Sequence, residues 1–162
     1  MDRTVVRRAA IALGSNLGDR HAAFTFAAER LATFITGLVV SPALETEPEG
    51  DGLQDHPLYL NAAAVGDTTL NPADVLEALH AIERAYGRQR PYPGAPRTLD
   101  LDLILLGDVR EDSPGLQLPH PRFRERFFVL GPLAEIAPDL VDPVSGRCVS
   151  ELLRHLLRDE RR

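Results

Sequence analysis

Two aspartates interrupt an otherwise aliphatic run, Leu99-Asp100-Leu101-Asp102-Leu103-Ile104-Leu105-Leu106. Successive side chains of a strand alternate faces, so Asp100 and Asp102 share one side, about 6.6 Å apart along the backbone. Leu99, Leu101, Leu103 and Leu105 then share the opposite, core-facing side. Two bare carboxylates at this spacing repel each other, and burial would penalise both. A divalent cation, or a pair of them about 3.5–4 Å apart, resolves the conflict. The bland alternative is a pair of solvated or arginine-paired acids, which would leave one face of a very apolar strand without a use. With Arg97 just upstream, the block reads as a metal-phosphate site. Its all-oxygen donors favour Mg²⁺ over zinc, which prefers His and Cys.

Around this strand, the punctuation of the chain defines a fold. Arg8–Leu13 reads as a strand, followed by the tight turn Ser15-Asn16-Leu17-Gly18-Asp19. Phe24, Ala27, Leu31 and Phe34 recur at helical spacing, with Gly37 as the expected stop. Leu38–Glu45 reads as a second strand, at an edge for part of its length because Pro42 lacks a donor. Thr46–Pro57 has no period and reads as a loop. Tyr59–Val65 is a small-residue strand, and Asn71-Pro72 opens a helix whose stripe is Val75, Leu76, Leu79, Ile82 and Tyr86. Gly87 stops it, and Arg88–Ala95 forms a second loop before the carboxylate strand. Leu133–Ile136 and Val149–Leu157 suggest two further short helices. The order is strand-helix-strand-strand-helix-strand, the split βαβ or ferredoxin-like pattern. The expected architecture is α+β, a mainly antiparallel sheet with helices on one face, plus the C-terminal helices.

At 162 residues and 44% hydrophobic, the chain is expected to form one domain over residues 1–162. No segment approaches the roughly 18 apolar residues of a membrane span, and the run Ala9–Gly14 is too short for a signal-peptide core. The single cysteine, Cys148, excludes an internal disulfide and fits a reducing cytoplasm. A net charge of −6 argues against nonspecific nucleic-acid binding. All 18 basic residues are arginines. A Walker-type loop needs lysine, so any phosphate must be held by arginine forks, backbone amides and metal.

Several residues are candidates for that work. Arg88, Arg90 and Arg97 bracket the metal strand, each more often a surface residue when taken alone, but together a triphosphate clamp. His120, in Leu118-Pro119-His120-Pro121, is a weak signal by itself. Tyr59 and Asn61 share a strand face, where a ring and an amide could read a planar heterocycle, and Phe128 could supply a second ring. No side chain stands out as a general base.

Gly14-Ser15-Asn16-Leu17-Gly18, Tyr59-Leu60-Asn61-Ala62-Ala63, Gly87-Arg88-Gln89-Arg90, Pro96-Arg97-Thr98-Leu99-Asp100-Leu101-Asp102 and Leu118-Pro119-His120-Pro121-Arg122 occur together in one known family and in this order. From about Ala10 to Val149 the chain resembles the 6-hydroxymethyl-7,8-dihydropterin pyrophosphokinases of folate biosynthesis. The resemblance implies a ferredoxin-like fold and transfer of the β,γ-pyrophosphoryl group of ATP to the pterin hydroxymethyl oxygen, releasing AMP. It implies two Mg²⁺ ions between Asp100, Asp102 and the triphosphate. Arg88, Arg90, Arg97 and Arg126 would contact phosphates, with Arg88 and Arg97 the catalytic pair, while His120 and Leu103 would complete the ATP site. Tyr59 and Phe128 would sandwich the pterin, and Asn61 and the backbone near Thr46 would hold its edge. The expected partners are small molecules, with neither nucleic acid nor membrane, for a cytoplasmic monomer. The chain departs from the family where a tryptophan often precedes the Pro-Arg pair, carrying Pro93-Gly94-Ala95 instead. Glu47 and Glu49 enter a loop that is usually apolar, and Gly115 stands where some members have an arginine. A non-catalytic nucleotide- or protein-binding module, and an enzyme for another hydroxymethyl heterocycle, are the competing readings.

Overall fold

The computed structural model describes residues 4–47, 58–88 and 98–160, with the side chain of Arg88 left out. Strand β1 (Arg7–Ser15) leads through a turn into α1 (Arg20–Leu31), whose first amides are capped by the Asp19 carboxylate accepting from Ala22 N at 3.0 Å. β2 (Thr36–Val40) and β3 (Leu44–Thr46) follow, then β4 (Tyr59–Thr68) and α2 (Pro72–Arg88). β5 (Asp100–Leu106) precedes a small hairpin, β6 (Glu111–Ser113) and β7 (Leu116–Leu118). A 3₁₀ turn at Phe123–Glu125 then leads to α3 (Phe127–Ile136) and α4 (Val149–Glu160).

The main sheet has the order β2–β4–β1–β5, with every neighbouring pair antiparallel and β3 also paired to β4. This is the ferredoxin-like order expected from the split βαβ pattern. β1 and β4 pair over nine residues, from Arg7↔Thr68 to Ser15↔Leu60. Close packing of β2 on β4 requires Gly66, because a Cβ there would meet Ile35 Cγ2 and the Thr36 carbonyl.

Four differences from the sequence reading have physical causes. The expected strand Leu38–Glu45 is divided at Pro42, whose missing N–H ends the ladder. Gly37 does not close α1, which already ends at Leu31; it sits inside β2 at φ +65°. The helix expected from Leu133 begins at Phe127, with Pro132 inside it and unable to donate to the Phe128 carbonyl. Finally, helices cover both faces of the sheet. Ala23, Leu31, Val75 and Leu79 of α1 and α2 pack with Ile11, Leu13, Leu101 and Leu103. Leu130, Leu133, Val149 and Leu152 of α3 and α4 pack with Ala10, Val65, Ile104 and Leu105. Full burial of each such leucine contributes about 2 kcal/mol, so neither helical layer is dispensable.

The division of β5 between two cores comes from a bulge. Ala10 pairs with Leu105 and Ile11 with Leu103, leaving Ile104 without a partner on β1. The irregularity reverses parity: Leu101, Leu103 and Leu106 face α1 and α2, whereas Ile104 and Leu105 face α3 and α4. Leu105 is therefore not on the face expected from simple alternation. Asp100 and Asp102 lie before the bulge, on the side opposite Leu101 and Leu103, and both are exposed.

Candidate active site

Three strands carry the residues of interest to one end of the sheet. Asp100 pairs with Gly14, which in turn pairs with Asn61, and Asp102 pairs with Ala12, opposite Ala63. The two acids of β5 and the amide of β4 therefore stand in rows on the same face, separated only by small residues of β1. Two strand spacings, about 9.5 Å, span the gap. Among the described residues, a Cβ on Gly14 would have only Asn61 Oδ1 within reach, at 3.9 Å, so no described side chain fills the floor between amide and acids.

On the β4 side, Asn61 is buried and its Nδ2 donates to Thr46 Oγ1 at 2.8 Å. That bond directs the amide oxygen away from Thr46, toward Gly14. Tyr59 lies two residues before Asn61 on the same face and pairs with Thr46 across β3. α3 crosses β4, and Phe128 packs at the edge of that face's core. Of the expected pterin residues, Thr46, Tyr59 and Asn61 are gathered where β3 pairs with the start of β4, and Phe128 lies on the helix that packs against β4.

On the β5 side, Asp100 and Asp102 accept no hydrogen bond from any described residue. Partial desolvation of the Asp100 carboxyl at the sheet surface, and then the charge of Asp102, push it above its ordinary value. Two carboxylates without a hydrogen-bond donor among the described residues suit a hard, oxygen-preferring divalent ion. Along the outer edge of β5 runs a cleft of about 350 Å³, lined by Leu76, Glu83, Leu101, Asp102, Leu103 and His120. It is of the size that takes a small planar ligand.

The bulge has a second effect here. Ile104 O accepts from His120 N at 2.9 Å, which fastens the Leu118–Pro121 segment to the strand and sets the imidazole over the cleft. His120 Nδ1 accepts from Arg122 N at 3.1 Å, assigning the proton of the neutral ring to Nε2. Burial pushes its pKa down; Asp102 opposes this, while Arg126 and Arg122 add to it. These effects together favour the neutral ring, with Nε2–H free to donate. Arg126, the N-cap residue of α3, lies with its guanidinium 5.5 Å from the Phe128 ring centroid. Its Nε is buried with no hydrogen-bond partner among the described residues, a cost that an incoming anionic oxygen would remove. Arg88 ends α2, but its side chain lies outside the described residues, as do Arg90 and Arg97 altogether.

A family model for 7,8-dihydro-6-hydroxymethylpterin-pyrophosphokinase (HPPK) matches residues 10–138. The chain belongs to this family. The 2-amino-4-hydroxy-6-hydroxymethyldihydropteridine pyrophosphokinase of Pseudomonas aeruginosa is 45% identical over 153 residues, covering 92% of this chain and 91% of its own. The Bacillus subtilis protein of the same name is 43% identical over 131 residues, covering 78% and 75%. Among solved structures, wild-type Plasmodium falciparum HPPK-DHPS superposes with a TM-score of 0.73 at 12% identity, over 98% of this chain and 46% of that one. That likeness concerns the fold, and this chain spans about half of the longer one. The reaction of the family is transfer of pyrophosphate from ATP to the hydroxymethyl group of 6-hydroxymethyl-7,8-dihydropterin in folate synthesis, and the chain is an enzyme of that kind.

Two participants in the site's geometry were not found by reading the sequence. Glu83 Oε2 accepts from Leu101 N at 2.9 Å, sealing a free amide on the outer edge of β5. Burial raises its pKa, the Leu101 N–H opposes this, and the Asp100 charge adds to it. Its signal was a carboxylate four residues after Leu79, at a stripe position of α2. Thr98 is the second, and its bonds reach across more than eighty residues to Ser15 and Asn16.

Proposed function

We propose that Asp100 and Asp102 hold two Mg²⁺ ions against the triphosphate of ATP, while Thr46, Tyr59, Asn61 and Phe128 hold the pterin. The single observation carrying this reading is the row Asn61–Gly14–Asp100 across three strands. It sets a heterocycle-reading amide and a carboxylate pair on one open floor. Magnesium so held neutralises phosphate oxygens and supplies a Lewis acid. The chain's own work is alignment, because phosphoryl chemistry asks the protein for little covalent participation. Asn61 fixes the pterin edge so that its hydroxymethyl points along the Gly14 floor toward the acids. Leu103 and His120 seat the nucleoside in the β5 cleft, with Nε2–H donating. Arg126 turns its Nε, which has no partner among the described residues, to a phosphate oxygen, and Arg88, Arg90 and Arg97 supply the remaining positive charge, Arg88 and Arg97 on the transferred group. Developing negative charge on that group is where such forks act.

The same reading has residues 1–162 act as one domain, monomeric and cytoplasmic, needing neither nucleic acid nor membrane. Among the described residues no helix is long and apolar enough to cross a membrane, and sedimentation should give a single species near 17.8 kDa. The functional test is product analysis with purified protein, ATP and Mg²⁺. AMP should form only when 6-hydroxymethyl-7,8-dihydropterin is present, and chelation of the metal should stop it. Release of ADP or free phosphate in its place would defeat the reading.

A further inference from the structure

The backbone ladder between β1 and β5 ends at Gly14↔Asp100. Asp100 is also the first residue of its strand, the position at which a strand frays most readily. Beyond that last pair, side chains take over. Ser15, fully buried, donates from Oγ to Thr98 O at 2.7 Å. Thr98 Oγ1 donates to Asn16 Oδ1 at 2.9 Å and accepts from Asn16 N at 2.8 Å and Leu17 N at 3.3 Å. A hydroxyl has one proton and two lone pairs, so every bonding site of this one is used. Four bonds converge on a single half-buried residue and continue the β1–β5 pairing past its backbone limit.

We propose that Thr98 is a positioning residue for pyrophosphoryl transfer: knotted to Ser15 and Asn16, it holds the start of β5 so that Asp100 stays in register with Asn61 across Gly14. The proposal rests on the reading of Asp100 and Asp102 as magnesium ligands. Thr98 itself touches neither substrate nor metal in this scheme. It acts through Asp100, two residues on, and through the turn after β1. Sideways slack of an ångström at a reacting group can cost about 100-fold in rate. Loosening the knot should therefore be felt in turnover and metal response more than in pterin binding, since Tyr59 and Asn61 are held by the β1–β4 backbone ladder, which ends at Ser15↔Leu60 and does not use the Thr98 hydroxyl.

The test compares Thr98→Val, which keeps the shape and removes the hydroxyl, with Thr98→Ser, which keeps the hydroxyl. AMP formation by the full chain is followed against Mg²⁺ and pterin concentration. For Thr98→Val we expect kcat to fall about 10- to 100-fold, with a higher half-saturating Mg²⁺ concentration and little change in the pterin KM. Thr98→Ser should recover most of the loss. Wild-type turnover and metal response in Thr98→Val, equal losses in the two variants, or a change confined to the pterin KM would each overturn the proposal. If Thr98→Val fails to fold, Ser15→Ala, which removes only the bond to Thr98 O, must show the same pattern more weakly; wild-type behaviour there overturns it. Asp102→Ala separates the two readings. An unaltered magnesium response in that variant defeats the metal assignment, whereas inactive Asp102→Ala beside wild-type-like Thr98→Val defeats the knot alone.

Discussion

Asp142 and the pair Asp100 and Asp102 are the same residue type in opposite circumstances. Asp142 is fully buried where the chain passes from α3 to α4, and the polypeptide satisfies it completely. It accepts from Arg124 Nε at 2.6 Å and Nη2 at 2.9 Å, from Ser145 Oγ at 2.7 Å and from Val144 N at 3.0 Å. Burial alone would raise its pKa, but the hydrogen bonds from Arg124, Ser145 and Val144 and the arginine's charge outweigh it and hold the group at about 2. Asp100 and Asp102 receive no such donors from the described residues, and burial with mutual repulsion raises the pKa of Asp100. A carboxylate that the fold serves for its own stability is thus surrounded by donors. One proposed to serve a ligand has none among the described residues.

This contrast can be broken most severely at the unsatisfied pair. Asp100→Ala or Asp102→Ala should lower AMP formation by about a thousandfold or more, with circular dichroism and thermal midpoint close to wild type. Retained turnover in either variant would place the acids outside the chemistry.

At the satisfied acid the effect should reverse, falling on stability. Asp142→Asn breaks a buried pair and strands Arg124, which should cost about 2–4 kcal/mol in urea unfolding. The sign with pH follows from the lowered pKa. The group's contribution is complete above its unfolded value of about 3.9 and disappears as pH falls through about 2, a difference of about 2 kcal/mol. Between those pH values the wild type should lose more stability than Asp142→Asn; parallel acid profiles would show that the ion pair does not hold the turn.

The smallest effect sharpens the comparison most. Since the ionised form of Asp100 is disfavoured in the fold, it subtracts from stability at neutral pH. Asp100→Asn should therefore raise the thermal midpoint by a degree or two while remaining inactive. A lowered midpoint would mean that the carboxylate has a structural partner after all.

How much of this could be read from the chain depended on whether the signal was local. The acids of β5 were legible because period-two alternation over Leu99–Leu103 depends only on neighbouring residues. The order of elements followed from the same kind of evidence, and with it the ferredoxin-like topology. Leu105 was misplaced because a bulge at Ile104 is specified by pairing with β1, which no local pattern records. The cover of the second face was missed for a related reason: Gly131-Pro132 hides the helical start at Phe127, so α3 reads as a fragment from Leu133. Tyr59 and Asn61 could be read as sharing a strand face, but spacing alone could not relate Phe128 to them, because only the packing of α3 against β4 sets Phe128 on that side of the sheet. Glu83 and Thr98 were invisible since their roles are bonds to main-chain groups distant in sequence.

The unpaired Ile104 has one further consequence. Because the reversal of facing falls after the acids and before the aliphatic end, the two halves of the strand answer to different constraints. Residues toward Leu106 can drift with the helices they pack against without rotating the half that carries Asp100 and Asp102, so changes that tune stability need not disturb the two acids.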